Sequence, residues 1–289
     1  MLCVPFCNGT SEKASVGALA FLLPKLCDHC SRVISIDSSP VLIIDLDMNH
    51  GATRHFGVVP EAFMGSYEML VGDEQAAHLV LTDQDEDVLL PQNLHLIPAA
   101  RKLEGIDQAL AQKSKFITPR EVLIRPLESL RGQYNYIFLD TAPNATTPTI
   151  ASYLAADYFI LSAMPDPFAI AGLNDALTDI GDAQKRGNPK LSLLGVVLSG
   201  VDKRTTLANS LSEFVERSFR VGEAAESIKF RASIARSTVI PQTQKAGKTL
   251  FETHPTHKVT QEYRALAEEI ETRVARLEAG PAVRNAANG

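Results

Sequence analysis

The chain has 289 residues, is 45% apolar and carries a formal net charge of -6. It is long enough to bury a full core as one large α/β domain. The negative balance excludes a protein coated in basic surface, so any contact with nucleic acid has to come from a local patch.

The chain starts with the apolar run LCVPFC, followed by NGTSEKAS at residues 8–15 and the apolar VGALAFLL, which Pro24 closes. That apolar stretch is too short to span a bilayer, and no basic leader with a cleavage site precedes it, so a cytoplasmic protein without a membrane span is expected. The four cysteines, Cys3, Cys7, Cys27 and Cys30, all fall within the first 30 residues. Cys27-Asp28-His29-Cys30 has the spacing of half a zinc site or a redox pair, but Cys3 and Cys7 read better as small apolar residues on one face of a buried strand.

Further along come VLIIDLD, LHLIPAA, YIFLD, YFILSAM and LSLLGVVLSG. Such continuous apolar runs, without alternation, belong to central strands of a parallel sheet covered on both faces, and they predict a doubly wound α/β fold. Helices are expected at about 15–27, 118–131, 146–155, 168–185, 205–219 and 258–278. The last has Val259, Tyr263, Leu266, Ile270, Val274 and Leu277 at helical spacing and should lay one stripe on the domain. Residues 1–279 read as one domain and 280–289, with little to bury, as a disordered tail.

Asp45 and Asp47 follow VLII, and Asp140 follows YIFL. Three carboxylates are thereby expected at the carboxyl edge of one sheet, where open α/β folds bind ligands and where a magnesium–phosphate site needs them. Taken singly, each also fits a helix cap or a turn.

The residues on either side carry a resemblance. VLIIDLDMNHGATRHFGV resembles the "DLDPQGNAT" segment of the ParA/Soj partition ATPases, and YNYIFLDTAPNATTPTIASYLAADYFILSAMPDPFAIAGL resembles their Walker B region, next strand and helix. GVVLSGVDKRTTLA is similar to their late strand with its D-x-R-T turn, and AGKTLFETHPTHKVTQEYRALAEEI to their closing segment. The motifs follow one another in the family's order across nearly the whole chain. The resemblance implies a P-loop NTPase-like fold, ATP and Mg2+ as cofactors, and a homodimer that works with a ParB-like centromere-binding or adaptor protein on nonspecific DNA, with no membrane and at the nucleoid.

Laid on that family, NGTSEKAS occupies the deviant Walker A loop, KGGVGKTT. Gly9, Lys13 and Ser15 keep a glycine, the phosphate lysine and a hydroxyl. Asn8 replaces the signature lysine, Thr10 and Glu12 replace glycines, and Ala14 replaces the magnesium-binding threonine. Glycines let successive N–H groups converge on phosphate oxygens, a carboxylate repels them, and Ala14 offers no ligand, so weak binding and slow hydrolysis are expected. About ten extra residues, centred on CDHCSRVISIDSSP, separate this loop from the second strand.

The resemblance further assigns Lys13 to the phosphates, Asp47 to the attacking water, Asp45 and Ser15 to the magnesium shell, Asp140 to the Walker B role, and Asp202 and Arg204 to the turn near the base. For Asp202 and Arg204 a surface turn with a capping Asp is the alternative reading. Lys229, Arg231, Arg236, Lys245 and Lys248, with Arg217 and Arg220 before them, match the family's DNA-holding region or an ordinary solvated face. No cysteine follows Cys30, which disfavours iron–sulfur relatives, and the Glu-rich last helix disfavours MinD-like membrane targeting. Two functions follow: a partition or positioning ATPase with weakened hydrolysis, or a pseudo-ATPase that regulates or scaffolds through protein contacts.

Overall fold

The computed structural model describes residues 2–4, 6–7, 40–113, 118–142, 145–218, 220–221 and 226–279. The expected helix at 15–27, the loop residues Gly9, Lys13 and Ser15, all structure around Cys27 and Cys30, and the tail 280–289 lie outside them.

The apolar runs all form strands, with LCVPFC forming two. They are β1 (Leu2–Val4), β2 (Phe6–Cys7), β3 (Val41–Asp45), β4 (Leu94–Ile97), β5 (Tyr136–Asp140), β6 (Tyr158–Ala163) and β7 (Ser192–Leu198). All ladders among them are parallel. Across the sheet the order is β7, β6, β1, β5, β3, β4, with β2 carrying the line of β1 onward along β6. The expected doubly wound α/β fold is therefore observed.

Period-two alternation divides the apolar residues between two faces. Val41 and Ile43 join Phe138, Leu94 and Leu96 on one face, under Tyr263, Leu266, Ile270 and Val274 of the helix Lys258–Glu278. Leu42, Ile44 and Leu139 face the opposite way, against Val122, Leu123 and Leu127 of the helix Pro119–Glu128. A third cluster sets Phe159, Leu161, Val196 and Leu198 against Leu173, Ile180, Leu211 and Val215 from the helices Ala169–Arg186 and Thr206–Ser218. Of the stripe expected on the last helix, Leu277 is the exception: it is 47% exposed.

Local chemistry sets where helices begin. Thr118 and Glu121 form a capping box with Pro119 in the first turn, Thr249 and Glu252 form another, and Thr146 caps Thr147–Ala155 through the Thr149 N–H. Short helices at Gly51–His55, Ser66–Val71, Ile106–Lys113, Val239–Lys245 and Leu250–Thr253 add to those expected. None of the described helices is long and apolar enough to cross a membrane.

Gly65, ahead of Ser66–Val71, is a position where only hydrogen fits. An added Cβ would lie 2.0 Å from the carbonyl oxygen of Pro98, which accepts the Ser66 N–H at 2.8 Å. Gly65→Ala is expected to cost about 3 kcal/mol in urea unfolding, because the obstacle is backbone that cannot swing aside. A cost below about 1 kcal/mol would show that the Pro98 segment yields.

Candidate functional site

Asp45 and Asp140 end β3 and β5 and lie directly opposite each other in the ladder, and the Leu46 N–H donates to the Asp140 carbonyl at 2.7 Å. Val4 of β1 is in register with Asp140 on its other side, and Cys7 at the end of β2 is in register with Ala163 at the end of β6. The described end of β2 at Cys7 therefore lies at the same edge of the sheet as the two carboxylates.

Asp45 is fully buried and held from three directions. Its Oδ2 accepts the Thr53 N–H at 2.9 Å and the Thr53 hydroxyl at 2.7 Å, and its Oδ1 accepts the Asp47 N–H at 3.1 Å. Thr53 Oγ1 in turn accepts the Ala99 N–H at 2.8 Å, which ties this segment to the end of β4. Asp47 Oδ1 accepts the Asn49 N–H at 2.9 Å. Asp140 is nearly as deeply buried, yet its Oδ2 and the neighbouring Thr141 hydroxyl have no hydrogen-bond partner among the described residues.

Burial pushes the Asp45 carboxyl up to about 7, against the opposing pull of the Thr53 hydrogen bonds. Asp140 is pushed well above the usual carboxylate range by burial first, then by the charges of Asp45 and Asp47. An edge that holds carboxylates in this state binds protons at neutral pH unless a cation balances them. Among the described residues no three His, Cys, Asp or Glu side chains converge as a ready-made metal cage. A metal there would need oxygens from its ligand or from residues 8–39 as well.

Asp45 and Asp140 end neighbouring strands at this edge, and Asp47 follows Asp45 by two residues with its N–H on the Asp45 carboxylate. Asp202 and Arg204 follow β7, two strands from β1 at the same edge, and bond mainly to each other. Arg204 Nε and Nη2 donate to the Asp202 carboxylate at 2.9 and 2.7 Å, which holds that carboxyl down at about 2. Of the basic residues, Arg231, Arg236, Lys245 and Lys248 are exposed, whereas Lys229 is ion-paired with Glu216 at 2.8 Å.

Two residues of this segment were not legible as site residues. Thr53 is one, since its bonds to Asp45 and Ala99 depend on the fold. His50 is the other. It is buried in a left-handed conformation with φ 44° and ψ 44°, its Nδ1 lies 2.7 Å from the Met48 carbonyl, and its Nε2 has no partner among the described residues. Nearby, burial pushes the imidazole of His55 down to about 4.

An AAA domain family model matches residues 30–193, more than half of the chain. The chromosome-partitioning ATPase Soj of Thermus thermophilus is 30% identical over 237 residues, covering 81% of this chain and 84% of Soj. The chain belongs to the ParA/Soj family. Solved structures share its fold at lower identity. A McdA variant from Cyanothece in complex with ATP has a TM-score of 0.72 at 21% identity, covering 94% of this chain and 96% of that one. Cobyrinic acid a,c-diamide synthase from Mycobacterium smegmatis, with bound ADP and magnesium, has a TM-score of 0.68 at 22% identity, covering 92% and 91%.

Proposed function

We propose that this protein is a partition or positioning ATPase in which ATP and Mg2+ bias a monomer–dimer equilibrium, and the dimer holds nonspecific DNA and answers to a ParB-like partner. The observation that carries the reading is the juxtaposition of Asp45 and Asp140 at the sheet edge, with Asp140 Oδ2 buried and without a partner among the described residues. A hard divalent cation fits such a donor set, since it takes carboxylate oxygens and completes its shell with water and phosphate. When bound, it neutralises charge developing on the phosphates.

In this reading Asp45 and Asp140 hold the ion with Ser15. Lys13 and Gly9 meet the phosphates, Asp47 orients the attacking water, and Asp202 and Arg204 border the base. Arg231, Arg236, Lys245 and Lys248 contact DNA phosphates; Lys229, engaged by Glu216, contributes less. Residues 1–279 act as one domain, with 280–289 as its tail. The loop NGTSEKAS weakens binding and slows hydrolysis, and those same substitutions favour a second reading, a pseudo-ATPase acting through protein contacts.

Calorimetry with ATP and magnesium tests this on the wild type and on Lys13→Ala. The proposal predicts micromolar binding that disappears in the variant. No heat with either protein, even at high concentration, would leave the pseudo-ATPase reading standing.

A further inference from the structure

We propose that residues 83–87 form an acidic rim on the DNA-binding face, which repels phosphates approaching Lys245 and Lys248 from that side and holds the affinity for nonspecific DNA down. The inference rests on the DNA reading above. It starts from where the charge lies. Between Arg54 and Arg101 the chain has eight acidic residues and no Lys or Arg, which outweighs the whole chain's net charge of -6. Four of the eight, Asp83, Asp85, Glu86 and Asp87, fall within five residues, and all four are exposed.

The fold sets this loop beside the lysines. Leu89, two residues after Asp87, is 58% exposed and rests on glycine: a Cβ on Gly247 would lie 2.9 Å from its Cδ1 atom, and one on Gly57 would lie 3.1 Å from it. Gly247 stands between Lys245 and Lys248, both exposed. Two residues of chain span at most about 7 Å, so the acidic run and the lysines lie within reach of one another on the scale of the Debye length, about 8 Å at physiological salt. Among the described residues neither lysine is ion-paired with any of the four carboxylates. Their charge is therefore not cancelled locally and acts on whatever approaches the lysines.

The loop is also held in place. Leu81 exchanges two backbone hydrogen bonds with Leu96 of β4, at 2.7 and 2.9 Å, and the Leu89 N–H donates to the Phe56 carbonyl at 3.1 Å. Between these anchors the Thr82 N–H and hydroxyl donate to Asp85 Oδ2 at 2.7 and 2.9 Å, closing a turn. A loop pinned at both ends keeps its carboxylates at the rim when a polyanion arrives. Charges at the rim of an interface act mainly on the association rate and on the salt dependence of binding, and these are the quantities to read.

The test variant combines Asp83→Asn, Glu86→Gln and Asp87→Asn. Asp85 is kept because its carboxylate shapes the turn, and asparagine tolerates the left-handed conformation of Asp87, φ 70°. A matched control, Glu128→Gln with Asp175→Asn and Asp179→Asn, removes the same charge from exposed positions on the opposite face of the sheet. The faces differ because Ile240 of the lysine segment packs with Val41 and Ile160, whereas the two control helices pack with Leu42 and Leu161. Binding of a labelled random-sequence duplex is measured by fluorescence anisotropy across a NaCl series, with ATP and magnesium present. The loop variant is expected to bind about fivefold tighter than wild type at about 50 mM NaCl, with faster association and a steeper salt slope, and the control to stay within about twofold. A loop variant that gains no more than the control would overturn the rim and leave only an effect of net charge. If neither wild type nor loop variant binds DNA even at low salt, the DNA reading itself has failed and the rim falls with it.

Discussion

Asp140→Asn is expected to stabilise the nucleotide-free protein at pH 8 by about 2 kcal/mol while removing magnesium-dependent ATP binding. The buried Oδ2 has no partner among the described residues, and the side chain is repelled by Asp45 and Asp47. Its carboxyl is raised in the fold above its ordinary value of 3.8. The stability this group contributes is therefore fully present below about pH 4 and is lost as pH rises through the folded value. Asparagine keeps the shape and does not ionise. Urea unfolding should show the variant level with wild type near pH 4 and ahead of it at pH 8. With ATP and magnesium the order should reverse, since only the wild type gains from the ligand. A variant less stable than wild type at pH 8 would mean that the carboxylate is already compensated in the free protein.

Arg273→Met is expected to cost about 3 kcal/mol and to loosen the segment 228–236. The guanidinium of Arg273 donates to the carbonyls of Leu194, Ile228 and Lys229 at 2.9, 3.0 and 2.9 Å and to Glu269 at 2.7 Å, and it lies 4.2 Å from the centroid of the Phe230 ring. Gly195 makes this possible, as a Cβ there would sit 2.6 Å from the Arg273 Nη1 atom. Two carboxylates of the same helix hold the backbone further along: Glu269 accepts the N–H groups of Arg231 and Ala232, and Glu262 accepts that of Ala235. Methionine replaces the stem and none of the donors, leaving three carbonyls and Glu269 without them. The check is urea unfolding together with limited proteolysis at Arg231 and Arg236, where cleavage should become faster than in the wild type. An unfolding cost below about 1 kcal/mol would show that Glu262 and Glu269 suffice alone.

Strands could be read because a fully covered parallel sheet demands continuous apolar runs; five of the six runs are one strand each and LCVPFC holds two. Asp45, Asp47 and Asp140 could be read because a charged residue ending such a run has one place to go, the carboxyl edge. The short helices Gly51–His55 and Leu250–Thr253 leave too few residues for a helical period to develop. The last helix was read by its apolar stripe, which left Glu262, Glu269 and Arg273 looking like a solvated face. In the structure that face binds another segment's backbone, a role that spacing does not express. Thr53 and His50 were missed for a related reason: one acts through the end of a distant strand, the other through a backbone angle.

The central position of β1 has a consequence for synthesis. Leu2 pairs with Phe138 on one side and Tyr158 on the other, so β1 is made long before either neighbour exists. At ordinary elongation rates the interval is on the order of ten seconds, far longer than chain collapse takes. Throughout it, an apolar strand with two open edges has to be kept from other nascent chains. The cell's holdases are therefore expected to meet this protein on the ribosome, and release to follow once β6 has emerged.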